Sequence, residues 1–174
     1  MTKPEPSILL SQQDIAARVK QLAAELNRDY HNKPVLLLCT LTGSCIFLAD
    51  LARELTLDLQ IDFIKVSSYG DAMESTRQIK EEYMPDWDMS GMHVIVIEDI
   101  VDTGHTAAYL LKYLASKNTA SVALCTLLDK PERREVEGLT CQYIGFSIPN
   151  KFVVGYGLDF NQKFRQLPYI GVIE

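Results

Sequence analysis

Val94-Ile95-Val96-Ile97-Glu98-Asp99-Ile100-Val101-Asp102-Thr103-Gly104-His105-Thr106 packs an apolar run, an acid pair and a glycine-containing polar turn into one short stretch. An unbroken β-branched run suits a strand buried on both faces, as in a parallel sheet. The run ends in Glu98 and Asp99, and residues 102–106 open a helix. In open α/β sheets, ligands gather outside the carboxyl ends of the strands, which is where this turn falls. Backbone N–H groups at a helix N terminus, the Thr103 and Thr106 hydroxyls, and a glycine that lets the backbone come close together form a phosphate cradle. Two carboxylates beside a phosphate would repel it. Glu98 and Asp99 therefore suit sugar hydroxyls, or a Mg²⁺ that bridges them to the ligand. Ribose at the acids and phosphate at the helix mouth describes a ribose 5-phosphate. An N-capped helix beside two solvated acids is the plain alternative for any single part. Strand, acids and cradle in succession favour a site. Walker A and Gly-x-Gly-x-x-Gly patterns are absent.

Upstream, Leu10-Ser11-Gln12-Gln13-Asp14-Ile15 reads as a helix start with Ser11 as N-cap, and Ile15, Val19, Leu22 and Leu26 recur at helical spacing toward Tyr30. Residues 35–41 predict another buried strand, broken by Gly43, with Ser44 placed to cap a helix over residues 45–55. Leu59, Ile61 and Phe63 alternate with Gln60 and Asp62, predicting a strand over residues 59–67. Residues 68–91 show no period, and a gap of that length is usually a functional lid or a segment without order; part of it fits a hairpin. Downstream, the pattern predicts a helix over residues 105–116 and a strand over 120–128. Shorter strands follow over 141–146, 152–156 and 169–173. Strand and helix alternate, so the fold class is α/β, a mainly parallel sheet with helices on both faces.

The 174 residues suit one domain with a single sizeable core. The four cysteines form no Cys-x-x-Cys pair and read as reduced, mostly buried thiols. No apolar run approaches the roughly 18 residues of a membrane span, and the N terminus lacks a signal pattern. A cytoplasmic protein without a membrane partner is expected. A formal net charge of −6 argues against general nucleic-acid binding, but not against a phosphorylated small substrate.

The stretch from Val94 to Thr106 resembles the signature for phosphoribosyl pyrophosphate (PRPP) of the type I phosphoribosyltransferases, and four further segments are similar to that family's hypoxanthine–guanine branch. Leu41-Thr42-Gly43-Ser44 resembles its pyrophosphate loop, and Ser67-Ser68-Tyr69-Gly70 the tip of its mobile catalytic loop. Leu127-Leu128-Asp129-Lys130-Pro131-Glu132-Arg133-Arg134 resembles its base-contacting segment. Ile148-Pro149-Asn150-Lys151-Phe152-Val153-Val154-Gly155-Tyr156-Gly157-Leu158-Asp159-Phe160 resembles its purine-stacking segment, with Phe164-Arg165 after it. The likeness runs from about residue 35 to the C terminus. It implies the type I phosphoribosyltransferase fold: a twisted, mainly parallel sheet flanked by helices, a small hood and a flexible catalytic loop. It also implies one domain over residues 1–174, with a core of about 35–147 and a hood from the N- and C-terminal segments.

The resemblance further implies Mg²⁺-dependent transfer of the phosphoribosyl group from PRPP to hypoxanthine or guanine, in a homodimer or homotetramer. Glu98 and Asp99 would hold the ribose hydroxyls, directly or through Mg²⁺. Asp102 would face N7 of the purine as acid/base. Asp102, Thr103, Gly104, His105 and Thr106 would bind the 5′-phosphate. Thr42, Gly43 and Arg165 would meet pyrophosphate, with Asp159 holding a second Mg²⁺ on that side. Lys130 would donate to the 6-oxo group, which favours 6-oxopurines over adenine, whose amino group would set donor against donor. Phe152 would stack on the base, the Val153 backbone would meet its edge, Asp159 would also count among the purine-binding residues, and Ser68 and Tyr69 would close over the reacting centre. Singly, Lys130 and Arg165 read as surface residues, Phe152 as core and Asp159 as a turn residue. Two departures matter: the family commonly has a basic residue where Thr42 stands, so weaker pyrophosphate binding is expected here, and His105 stands at a variable spot of the cradle, which a backbone contact tolerates. A nucleotide-sensing RNA-binding regulator on the same fold is the alternative from another class. Transfer to xanthine, adenine or a pyrimidine is the alternative among enzymes.

Overall fold

The computed structural model describes residues 5–69 and 78–173. The elements run β1 (Ser7–Leu10), α1 (Gln12–Asp29), β2 (Val35–Thr40), α2 (Cys45–Glu54), β3 (Leu59–Tyr69), β4 (Gln78–Tyr83), β5 (His93–Val101), α3 (His105–Ala115), β6 (Ser121–Asp129), β7 (Tyr143–Ser147), β8 (Val153–Val154) and β9 (Ile170–Val172), with a 3₁₀ turn at Pro131–Arg133. A six-stranded sheet has the order β4-β3-β2-β5-β6-β7, and a three-stranded sheet has the order β1-β9-β8. In the large sheet β3, β2, β5, β6 and β7 run parallel to one another, and β4 is antiparallel to β3.

Strands β2 and β5 are apolar throughout their middles because both faces are covered. Leu37, Cys39, Ile95 and Ile97 pack with Ile15, Val19, Leu22, Leu26, Phe47 and Leu51 of α1 and α2. Leu36, Leu38, Val94 and Val96 pack with Ala107, Leu110 and Leu114 of α3. Helix α1 starts as its sequence predicts. The Ser11 hydroxyl accepts from Asp14 N at 3.1 Å and the Asp14 carboxylate accepts from Ser11 N at 3.1 Å, a reciprocal cap of which the serine half contributes about 1 kcal/mol. Arg18 then fastens α1 to β7 through the Ile144 and Gly145 carbonyls, at 2.7 and 3.0 Å. Burial pushes the Cys39 thiol up to about 12, in keeping with an unreactive core thiol, whereas Cys45 and Cys141 are only partly buried.

Several sequence expectations shift. Ser44 stands at the α2 N-cap position but caps nothing; its hydroxyl turns back to the Thr40 carbonyl. Ile61 and Phe63 are 45% and 36% exposed, whereas Ile64 is fully buried. Within the alternating apolar set of β3, Leu59 packs against the cluster that includes α1 and α2, whereas Ile61 and Phe63 stay exposed. Strand β1 carries no signal of its own, because its partner β9 lies at the far end of the chain. Of the expected catalytic-loop tip Ser67-Ser68-Tyr69-Gly70, Gly70 lies outside the described residues, as do residues 71–77 after it. Ser68 and Tyr69 pair with Ile79 and Gln78 across the β3–β4 hairpin, and their side chains are also outside what is described. No described helix is long and apolar enough to cross a membrane.

Candidate active site

Buried polarity is concentrated at one end of the large sheet. Among the described residues, Thr40, Ser44, Glu98, Thr126, Asp129 and Lys130 are the buried polar or charged ones. All lie in the carboxyl halves of β2, β5 and β6 or just beyond them. Polar groups are costly to bury unless paired, so their collection at the ligand-binding edge of an α/β sheet marks that edge as the site.

A cleft of about 300 Å³ opens there, lined by Glu98, Asp99, Ile100, Val101, Asp102, Thr103, Gly104, Thr106, Ala107 and Arg133. Both acids lie within β5, which continues to Val101, so the strand itself sets their positions rather than the turn. Glu98 is 6% exposed, and its carboxylate accepts from the Thr40 hydroxyl at 2.6 Å. Burial first, then the adjacent Asp99 charge, push the Glu98 carboxyl above the usual glutamate range. Burial pushes Asp99 up as well, opposed chiefly by the Ile100 N–H, which donates to its carboxylate at 2.7 Å, and also by the charge of Arg165. Two such carboxylates suit a divalent cation shared with ligand oxygens. The described residues gather no cage of three or more His, Cys, Asp or Glu. Mg²⁺ is usually held by one or two carboxylates together with water and phosphate oxygens, and that arrangement fits here.

At the other end of the cleft, Gly104 precedes α3 with φ 92°, the left-handed region, and offers no side-chain cap. The first N–H groups of a helix have no partner inside it, so an anion can take them. The segment after β6 braces this turn. Arg133 Nε donates to Asp102 at 3.0 Å, Glu135 N and Val136 N donate to the Thr103 carbonyl at 3.0 and 3.3 Å, and His105 Nε2 pairs with Glu135 at 2.9 Å. The Asp102 carboxylate, 43% exposed, is thus held at the mouth of the cleft.

The turn between β2 and α2 closes the far side, with a cis Leu41–Thr42 peptide. Thr42 is exposed and Gly43 buried. A Cβ on Gly43 would stand 1.6 Å from Asp99 Oδ2, so this turn lies directly against the second acid. Gly157 packs on the Gly43 carbonyl, and Arg165 donates to the Gly157 carbonyl at 2.7 Å. Arg165 also pairs with Asp159 at 2.9 Å, and the second Asp159 oxygen accepts from Gln162 N at 2.8 Å. Thr42, Gly43, Asp159 and Arg165 therefore come together beside Asp99, although both Asp159 oxygens are engaged in this conformation.

On the remaining side, Lys130 is 7% exposed at the end of β6, and its N–H bonds the Val101 carbonyl at 3.0 Å. That burial excludes a solvated surface lysine. Ile148 N donates to the Asp129 carbonyl at 2.9 Å, bringing the segment that carries Phe152 and Val153 alongside. Phe152 is 53% exposed and meets Phe160 edge-on at 5.6 Å, so it is not a core residue. Val153 is buried and pairs with Val172. The sequence alone does not single out Thr40, which lies in an otherwise apolar run, or the bracing roles of Arg133 and Glu135. A lone hydroxyl ending an otherwise apolar buried strand was the available signal for Thr40. Arg133 gave none beyond its place in a longer motif, and Glu135, just past that motif, gave none at all.

The phosphoribosyl transferase domain profile matches residues 7–161. A hypoxanthine phosphoribosyltransferase of Haemophilus influenzae is 40% identical over 176 residues, covering 99% of this chain and 98% of its own. A hypoxanthine-guanine phosphoribosyltransferase of Streptococcus thermophilus is 40% identical over 174 residues, covering 100% and 96%. The crystal structure of a hypoxanthine-guanine phosphoribosyltransferase from Bacillus anthracis, with a HEPES molecule in its active site, superposes with a TM-score of 0.93 at 41% identity, covering 98% of this chain and 100% of that one.

Proposed function

This chain belongs to the phosphoribosyl transferase family, and we propose that it moves the 5-phosphoribosyl group of PRPP to N9 of hypoxanthine, guanine or both, releasing pyrophosphate, in purine salvage. The observation that carries this reading is the cleft itself: paired acids at one end, an uncapped helix mouth at the other, and a buried lysine beside them. A sugar phosphate with a leaving group at C1 has a place for each of its parts there.

The residues divide the work by chemistry. The amides at the start of α3, with Thr103, Gly104, His105 and Thr106, would hold the 5′-phosphate. Glu98 and Asp99 would hold the ribose hydroxyls together with Mg²⁺, which supplies charge stabilisation to the departing pyrophosphate when bound. Thr42, Gly43 and Arg165 would meet that pyrophosphate, with Asp159 on the same side. Lys130 would donate to the 6-oxo group and Phe152 would offer an aromatic face to the base, with the Val153 backbone at its edge. Asp102, at the cleft mouth, would exchange the proton at N7 as N9 bonds to C1 and the C1–pyrophosphate bond breaks. Ser68 and Tyr69, on the β3–β4 hairpin, would help exclude water from the reacting centre. A single domain over residues 1–174, with its core in about 35–147 and a hood from both termini, acting in the cytoplasm as a homodimer or homotetramer, completes the proposal.

Mixing the protein with PRPP, Mg²⁺ and each base in turn tests it. Nucleotide should form with hypoxanthine or guanine. Absence of turnover with both bases overturns the reading, and turnover with xanthine alone would move the substrate. Replacing Glu98 and Asp99 together by alanine should weaken PRPP binding, measured by calorimetry with Mg²⁺ present.

A further inference from the structure

We propose that Thr40 is a positioning residue for Glu98 and that, with Ser44, it locks this acid to the turn facing pyrophosphate; the inference rests on the functional reading above. Thr40 ends β2, beside Glu98 on β5, one step beyond the paired residues Cys39 and Ile97. Its single hydroxyl proton has three oxygens within reach: Glu98 Oε2 at 2.6 Å, Ser44 Oγ at 2.8 Å and the Ile97 carbonyl at 3.0 Å. The Glu98 oxygen is the nearest of the three, and in the ionised form its charge strengthens the bond. Among the described residues, Thr40 is the one side chain that hydrogen-bonds the Glu98 carboxylate. Ser44 is fully buried, and its hydroxyl donates to the Thr40 carbonyl. Strand end, acid and turn are therefore joined by the hydroxyls of two residues that are 7% and 0% exposed. A carboxylate with one short, buried donor has its orientation set by it, and ribose hydroxyls held by that carboxylate inherit the orientation. Ser44 carries the same constraint to residues 41–44, so the group that leaves C1 and the hydroxyls beside C1 are placed relative to each other.

A plain structural role, in which the Thr40 hydroxyl only satisfies the Ile97 carbonyl, predicts something different. Thr40→Val keeps the shape and removes the donor. The KM for PRPP should rise about tenfold, the order expected for losing a hydrogen bond to a charged group, while the KM for hypoxanthine stays within twofold. Thr40→Ser, which restores the donor, should bring the PRPP KM back to within about threefold of the unaltered protein. In a double-mutant cycle, Thr40→Val should add less than twofold on a Glu98→Gln background, because the partner has already lost its charge. Should Thr40→Val not fold, Thr40→Ala reads the same quantities. Loss of melting temperature with the PRPP KM unchanged, parallel changes in both KM values, or a full tenfold effect repeated on Glu98→Gln would each overturn the inference. An unaltered protein that makes no nucleotide overturns the functional reading itself, and this inference with it.

Discussion

The two strand-to-helix turns at the carboxyl edge, residues 41–44 after β2 and residues 102–104 after β5, share one plan and are held by different forces. Each follows a buried parallel strand, each leads into a helix that lacks a side-chain cap at its N terminus, and each contains one glycine whose replacement the geometry opposes. At Gly104 the requirement is conformational, since φ is 92°. At Gly43 the requirement is space, because the Asp99 carboxylate occupies the volume a Cβ would need. The turn after β5 is braced by the segment that follows β6, and the turn after β2 by an acid on β5 and by Gly157. On the proposed reading, the turn after β5 would grip the 5′-phosphate and the turn after β2 would place the pyrophosphate. A small change in the gripping turn should cost stability as well as binding, whereas one in the placing turn should cost binding with little loss of stability.

The largest expected effect tests whether chemistry belongs to the turn after β5. Asp102→Asn should lower kcat by about 10²–10⁴-fold, the usual worth of a positioned acid or base. PRPP affinity, measured by calorimetry, should stay within a few-fold, and a matching loss of affinity would assign Asp102 to binding instead. Next, Gly43→Ala must push the Asp99 carboxylate aside, and misplacement of about 1 Å can cost about 100-fold in kcat/KM. Its melting temperature should hardly move, because what yields is the end of one side chain. Gly104→Ala reverses that balance. Strain at a positive φ costs on the order of 1–3 kcal/mol, so its melting temperature should drop along with its PRPP affinity. If the two alanine variants behave alike, the distinction between the turns fails.

A smaller effect lies in the pH dependence of stability. The folded-state pKa of Glu98 lies above its ordinary value of 4.5. Above that value the folded chain holds more protons than the unfolded one, so stability falls as pH rises. Glu98→Gln stays neutral. Its melting temperature should therefore fall less steeply from pH 5 upward and exceed that of the unaltered protein at the alkaline end, both without ligand. Asp99, raised by burial as well, leaves a residual slope. Parallel curves would mean that Glu98 titrates normally. The mildest change expected is in Thr42→Lys: a few-fold gain in pyrophosphate affinity, from one exposed cation beside a polyanion. No gain would show that the placing turn works through backbone and Arg165 alone.

The contrast also explains what could be read in advance. Helix α1 was legible from its capping box and apolar stripe, and β5 and α3 from a contiguous motif in which acids, hydroxyl and glycine succeed each other in one stretch. Strand β1 was not, since its reason to exist is a partner at the other end of the chain. Ser44 looked like an N-cap by position, but the buried Thr40 carbonyl competed for its hydroxyl. Lys130 and Phe152 had an ordinary reading each, and only their burial and exposure in the folded chain separate them from it.

By itself, the sequence determined the alternation of strands and helices, the family resemblance and the uncapped helix start after β5, because period, capping and turn geometry are all local and act over a few neighbouring residues. Tertiary structure alone decided that Thr40 meets Glu98, that Gly43 yields its space to Asp99, and that Arg133 holds Asp102. Those contacts join residues far apart in the chain, and the order of strands in the sheet, not the order of residues, brings them within reach.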